Sequence, residues 1–277
     1  MPASPTMPDL TGIDLETRYQ VARELAQEAA QMGLRHYAQR DGLEVEHKGD
    51  DRQDVVSAVD RQLEALIRDR LAQHFPDDGF VGEESGHNRL DARCVWVVDP
   101  IDGTACFVNG LHAWCVSVGM MIDGVPALGV IADPNHDELF HGCIGRGAFV
   151  NDTPLRASQA TDISHGPVGV GTFHPQGQEP FLPFLQKLLE GGGMFMRNGS
   201  GALTTAYVAA GRLLGYYETH LKSWDCMAGL VLLAEAGAER NDFLRGEGLL
   251  EGNPFLAAAP GVYAQLAAMI GPSLDRD

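Results

Sequence analysis

A chain of 277 residues with 44% hydrophobic content can bury a substantial core, which excludes a disordered or fibrous protein and leaves one large domain or two tightly packed ones. Its 20 basic against 38 acidic side chains give a net charge of −18, which argues against a sequence-independent grip on nucleic-acid phosphates. The five cysteines, at 94, 106, 115, 143 and 226, contain no C-x-x-C pair, so neither a disulfide scaffold nor a zinc cluster is expected and a reducing compartment fits best.

In chain order, Met1 to Pro8 is Pro-rich without a basic or apolar segment, and reads as a disordered tail rather than a signal peptide. Leu15, Tyr19, Ala22, Leu25, Ala29 and Met32 recur at steps of three and four, predicting an amphipathic helix that ends near Gly33. A second helix is predicted from Asp60 to Phe75, with Leu63, Leu66, Ile67 and Leu71 on one face and Pro76 beyond its last turn. Asp60 then stands at a helix start, where an N-cap accepting from the amides of Gln62 or Leu63 explains it without any chemistry. The apolar pair Phe80-Val81 runs into Gly82-Glu83-Glu84-Ser85, two acids at the junction of a strand and a loop. Solvated loop acids are the ordinary explanation for such a pair.

The stretch Cys94-Val-Trp-Val-Val-Asp99-Pro-Ile-Asp102-Gly-Thr104 carries more information. Val95 to Val98 reads as a core strand, and Pro100 and Gly103 mark a turn immediately after it. Asp99 and Asp102 then face one point in space. Two carboxylates that close repel each other unless a proton or cation lies between them, and oxygen-only ligands at a strand end suit Mg²⁺. The amides of Gly103 and Thr104 offer a cradle for a phosphate beside that cation. An Asx-type turn with solvated acids is the competing explanation.

A hairpin follows, Trp114 to Ile122 and Val125 to Ala132, joined by the turn signal Asp123-Gly124. The uncharged run from Gly103 to Ile122 is broken by Asn109, Gly110 and His112, so it makes a poor transmembrane helix. Short strands are expected at Glu138 to His141 and Ala148 to Val150. From about Pro167 strands and helices alternate: strand Val168 to Phe173, helix Phe181 to Glu190, strand Met194 to Arg197, helix Ala202 to Ala210, strand Leu213 to Tyr217, helix Asp225 to Ala236. Such alternation implies an α/β layer. A strand at Phe255 to Ala258 and a helix from Val262 to Ile270 close the chain. Asp225 stands at another helix start, where capping again explains it equally well.

Asp60, Glu83, Asp99, Asp102 and Asp225 are thus five acids at predicted element ends, where binding residues on a rigid scaffold usually sit. The blocks around them resemble those of the lithium-sensitive, Mg²⁺-dependent inositol monophosphatases. Asp54 to Asp60 is similar to D-x-V-T-x-x-D, Gly82 to Ser85 to G-E-E-S, Trp96 to Phe107 to W-x-x-D-P-[IL]-D-G-T-x-N-F, and Trp224 to Gly229 to W-D-x-A-A-G. The resemblance implies an α/β (α+β) fold, a layered αβαβα sandwich of the sugar-phosphatase type. It implies an N-terminal α+β subdomain, 9–160, with most metal ligands, and a C-terminal α/β subdomain, 161–277, with the substrate pocket.

It further implies two to three Mg²⁺ ions. Glu83, Asp99 and the backbone carbonyl of Ile101 would hold one, Asp99, Asp102 and Asp225 a second, and Glu83 with waters a weaker third. Asp60, Thr104 and Glu83 form the implied catalytic set, with Thr104 and Asp60 orienting and helping to deprotonate the attacking water. The amides of Gly103 and Thr104 would carry the phosphate. Arg197 to Ala202 resembles the R-x-x-G-[ST]-A-A turn at the substrate ring, which brings in Ser200 and Gly201, and Glu218 matches the Glu of Y-Y-E that bonds inositol hydroxyls, beside Asp225. Lys48 matches a lysine near the outer metal waters. Cys106 for Asn, Ser57 for Thr, Gly201 and Met227 depart from the pattern, and Cys106 puts the rigidity of its loop in doubt because a thiol is a weak donor. His220 and Lys222 are candidate substrate-entrance groups, and the other histidines read as surface or packing residues.

The implied activity is Mg²⁺-dependent hydrolysis of inositol monophosphate or a related sugar or polyol phosphate by metal-activated water, without a covalent phosphoenzyme. The alternatives are a histidinol-phosphate, fructose-1,6-bisphosphate or 3'-phosphoadenosine phosphatase, or a non-catalytic regulatory homologue. The implied setting is cytoplasmic, as a homodimer acting on a small phosphorylated substrate, without nucleic acid or membrane.

Overall fold

The computed structural model describes residues 7–40, 45–47, 55–172 and 178–275. Lys48, Asp54, Phe173 and most of the expected N-terminal tail lie outside the described residues. The first half runs α1 (Leu15–Tyr37), β1 (Val45–His47), β2 (Val55–Ser57), α2 (Ala58–His74), β3 (Gly79–Gly82), β4 (Gly86–Asn88), β5 (Cys94–Asp102), α3 (Thr104–Val108), β6 (Cys115–Ile122), β7 (Val125–Asp133), β8 (Glu138–Cys143), β9 (Gly147–Val150) and β10 (Thr153–Pro154). The second runs β11 (Pro167–Gly171), α4 (Gln178–Glu190), β12 (Met194–Met196), α5 (Gly201–Ala209), β13 (Gly215–Leu221), α6 (Ser223–Ala236), β14 (Glu239–Arg240), β15 (Asn253–Ala258) and α7 (Pro260–Ile270).

Helix α1 opens where the Asp14 side chain accepts from the Thr17 amide at 3.0 Å. It does not stop at Gly33. That glycine faces Trp114, whose ring would stand 3.1 Å from an added Cβ, so it serves close packing and the helix continues to Tyr37. Helix α2 begins at Ala58, two residues earlier than expected, which places Asp60 inside its first turn and overturns the N-cap reading.

Eight strands form one sheet in the order β10-β9-β8-β7-β6-β5-β3-β4, and five form another in the order β12-β11-β13-β15-β14. The hairpin β6–β7 turns at Asp123 and Gly124 with φ of 49° and 82°, the left-handed pair that a two-residue hairpin turn demands. Strand β5 runs on past the expected turn to Asp102, and its pairing with β6 is irregular between Asp99 and Asp102. Pro100 falls in that irregularity, the place where a sheet tolerates a residue without an N–H. In the smaller sheet β11 is parallel to β12 and β13, and β13 is antiparallel to β15.

Helices α1 and α2 pack on the large sheet, α6 packs against β5 to β9, α5 packs against α6 and β13, and α4 packs against α7, which meets β13 and β15. The result is the expected five-layer αβαβα stack. Glycines allow the large sheet and α6 to approach: a Cβ at Gly129 would lie 2.1 Å from the Ala228 carbonyl oxygen. That contact seats the N-terminal half of α6, and with it Asp225, close to β5. All five cysteines are buried and free. No helix among the described residues is long and apolar enough to cross a membrane.

Candidate active site

Asp99 and Asp102 from β5 and Asp225 from the first turn of α6 come together, each offering a carboxylate oxygen within 4.8 Å of the others. Burial, and then the charges of Glu83, Asp102, Asp225 and Asp60, push the Asp99 carboxyl well above the usual carboxylate range. Asp225 is driven well up by burial and then by Asp102 and Glu83. Burial also raises Asp102, although hydrogen bonds from Ser200, Ala202, Gly201 and Cys115 oppose it. Like charges crowded in a buried place need protons or a cation between them. An all-oxygen, acid-rich donor set of this kind fits Mg²⁺.

Each acid is placed by its own element. The Asp99 Oδ1 accepts from the Ile101 amide at 2.9 Å, which turns the chain at Pro100. The Asp102 carboxylate sits at the start of α5, accepting from the amides of Ala202 at 2.6 Å and Gly201 at 3.3 Å and from the Ser200 hydroxyl. Ser200 also caps that helix by accepting from the Leu203 amide at 3.1 Å. Asp225 accepts from the Lys222 amide at 3.1 Å, so it serves the helix start as well as the cluster. The parallel register of β3 with β5 sets Gly82 opposite Val98, and the Glu83 amide donates to the Val98 carbonyl at 3.3 Å. Glu83 thereby stands beside Asp99 without joining the tightest group of three.

Asp60 is fully buried, and its Oδ1 lies 3.0 Å from the Thr104 hydroxyl, which is also 2.9 Å from the Ile101 carbonyl oxygen. One hydroxyl proton thus faces two acceptors. Gly103 has φ of 92°, and a Cβ there would lie 2.5 Å from the Ala113 carbonyl oxygen, so the turn requires glycine.

Beside the acids opens a cavity of about 170 Å³, lined in part by Asp102, Asp225, Arg197, Ser200, Glu218 and His220. Tyr216 donates to Glu218 Oε2 at 2.5 Å, and Gly171, paired with Glu218 across β11 and β13, leaves the room its carboxylate fills. Burial lifts the Glu218 carboxyl to about 7 against the pull of Tyr216 and Arg197. Burial and the Lys222 charge lower His220, which favours the neutral ring. Lys222 itself reaches away to the Glu251 carbonyl at 2.9 Å.

Cys106 joins this pocket from behind. Its thiol donates to the Asn198 carbonyl at 3.4 Å, while the Asn198 side chain accepts from the Ser200 amide at 3.0 Å and the Thr204 hydroxyl at 2.8 Å. Gly199 lies so close that an added Cβ would be 2.6 Å from the sulfur. These bonds hold the 198–204 segment, and the Cys106 thiol adds one contact between it and α3. Burial raises the Cys106 thiol, which disfavours its thiolate form.

Two participants escape the motifs. Glu64, on α2, is buried and accepts from the amides of Glu84 at 2.8 Å and Ser85 at 2.7 Å. Its only signal in sequence is that it lies one helical turn after Asp60. Cys115 is the other, cross-strand from Asp102 with its sulfur 3.9 Å from Asp102 Oδ2.

The model of the inositol monophosphatase family matches residues 14–273. The chain belongs to the inositol monophosphatase family. It is 34% identical over 259 residues to the Nus factor SuhB of Pasteurella multocida, covering 92% of this chain and 96% of that one. Among solved structures, the extragenic suppressor protein suhB of Bartonella henselae superposes with a TM-score of 0.85 at 32% identity, covering 92% of this chain and 98% of that one. The inositol monophosphatase of Anabaena (Nostoc) sp. PCC 7120 gives 0.78 at 30% identity, over 93% and 96%. Within this inositol monophosphatase family frame, the mixed α/β fold with two sheets is shared with those structures, as the sequence motifs imply.

Proposed function

We propose that this inositol monophosphatase family member is an Mg²⁺-dependent phosphomonoesterase that hydrolyses inositol monophosphate or a related sugar or polyol phosphate by direct attack of water. The observation that carries the reading is the buried group Asp99, Asp102 and Asp225 opening onto a cavity that also holds Glu218. Glu83, Asp99 and the Ile101 carbonyl would hold one Mg²⁺, Asp99, Asp102 and Asp225 a second, and Glu83 a weaker third. Ions held there would supply positive charge to the attacking and leaving oxygens and would make a water more acidic. Asp60, through the Thr104 hydroxyl, orients that water and takes up its proton. The amides of Gly103 and Thr104 seat the phosphate. Glu218 accepts from substrate hydroxyls. Ser200, already bonded to Asp102, acts with Gly201 by shaping the pocket wall.

Two subdomains, 9–160 and 161–277, would enclose the site between them, and each of the two large sheets falls within one of these spans. A cytoplasmic setting belongs to the same reading, and no helix among the described residues is long and apolar enough to cross a membrane. The net charge of −18 argues against a sequence-independent grip on nucleic-acid phosphates.

A second reading, a regulatory role without catalysis, draws on one observation: the relative from Pasteurella multocida carries the name Nus factor. The complete acid set favours catalysis, since a vestigial site is free to lose an acid. The purified protein is to be tested on inositol, sugar, histidinol and nucleotide phosphates with Mg²⁺, with and without lithium. The expected result is polyol-phosphate turnover inhibited by lithium, and a loss by orders of magnitude in a folded Asp102→Asn variant. Preference for a nucleotide phosphate would overturn the substrate class, and no hydrolysis of any ester would overturn the phosphatase reading and revive the regulatory one.

A further inference from the structure

Helix α2 presents two buried carboxylates one turn apart, Asp60 and Glu64, and residues at i and i+4 share a face. Asp60 meets Thr104. Glu64 meets the chain just beyond β3, where Oε2 accepts from the Glu84 amide at 2.8 Å and Oε1 from the Ser85 amide at 2.7 Å. With each oxygen engaged by one of two consecutive amides, the carboxylate fixes the rotation of that segment as well as its distance. On the near side, a Cβ added at Gly82 would lie 2.6 Å from Glu64 Oε2. Glu64 is therefore pressed against both flanks of Glu83, whose own amide is bonded to Val98 on β5.

A carboxylate at 1% exposure in an already acidic region is costly to bury. Charge-assisted bonds from two amides offset part of that cost, and they occupy oxygens that a cation would otherwise use. We propose that Glu64 is the positioning residue for Glu83: it clamps the 82–85 loop to α2 and thereby sets how tightly the chain holds a divalent cation. The same helix then fixes the Asp60–Thr104 pair and the Glu83 ligand relative to each other. This inference rests on the reading of Glu83 as a cation ligand.

The test is Mg²⁺ binding measured by titration calorimetry on the whole chain, together with melting temperature and kcat at saturating Mg²⁺. Glu64→Gln keeps the shape but turns one acceptor into a donor that faces an amide N–H. It is expected to weaken Mg²⁺ about tenfold or more, the scale seen when a group that orients a ligand is lost, with kcat at saturating Mg²⁺ changed far less. Glu64→Asp keeps the charge but draws the oxygens back by one methylene, is expected to weaken Mg²⁺ likewise, and decides the matter if the glutamine variant does not fold. A folded variant that binds Mg²⁺ as the parent does, whatever its melting temperature, would reduce Glu64 to a structural residue and overturn the proposal. A parent chain that takes up no Mg²⁺ would instead overturn the reading of Glu83 and its neighbours as ligands.

Discussion

Burial holds the Glu218 carboxyl at about 7 while Tyr216 and Arg197 draw it down, so near neutral pH it is divided between an ionised acceptor and a protonated form. Between pH 6 and pH 8 the ionised share of such a group climbs from about one tenth to about nine tenths. If Glu218 accepts from substrate hydroxyls, KM for a polyol phosphate should fall by up to about tenfold over that range. Glu218→Gln should flatten the profile; a parent KM that does not move with pH, or a glutamine variant that tracks it, contradicts the assignment. The stability sign runs the other way. Because the folded value lies above the ordinary 4.5, the native chain binds the extra proton, and the contribution of Glu218 to stability declines as pH rises from 4.5 to about 7. At this scale the sequence was legible where ligands share a short turn, as Asp99 and Asp102 do. Glu64 was not legible, because the amides that define its role lie 20 and 21 residues away.

Helices were easier to read than strands, and their middles easier than their ends. The stripe from Leu15 to Met32 marks α1, but its last turn depends on Gly33 meeting Trp114, a contact between distant parts of the chain. Strands β4 and β14 are too short to carry an alternating pattern, and β5 passes Pro100 only because the sheet supplies an irregular pairing there. Strand β12 is the element with most left to explain. Met194, Phe195 and Met196 form an exposed strand at the edge of the smaller sheet, and Leu182 and Leu189 of the adjoining α4 are exposed as well. An apolar edge of this kind marks an association surface or an aggregation hazard. The homodimer implied by the family resemblance is expected to bury this edge. Phe195→Glu should raise the dimer dissociation constant tenfold or more, about 1.4 kcal/mol. Light scattering on a size-exclusion column over a concentration series reads the effect, and an unchanged dimer would move the interface elsewhere.

Across the whole molecule, the layers converge on one acidic point: Asp99 and Asp102 come from the large sheet, Asp225 from α6 and Glu218 from the smaller sheet. Strand–helix alternation made the second layer legible in sequence, whereas the convergence itself depends on how closely α6 seats on Gly129. This convergence has a thermodynamic consequence. The carboxyls of Asp99, Asp102 and Asp225 lie above their ordinary 3.8, so without a cation the native chain binds more protons than the unfolded one. From pH 3.8 upward the metal-free fold therefore loses stability at this site until those groups ionise. A divalent cation held only by the native chain replaces the protons, and a hundredfold excess over its Kd adds about 2.7 kcal/mol. Protons compete with the cation for the same oxygens, so the rise in Tm on adding Mg²⁺ should be larger at pH 8 than at pH 5.5. Scanning calorimetry at matched ionic strength separates this from general screening of the net negative charge. Asp102→Asn should abolish most of the gain, and an equal rise at both pH values would mean that Mg²⁺ acts somewhere other than on these three acids.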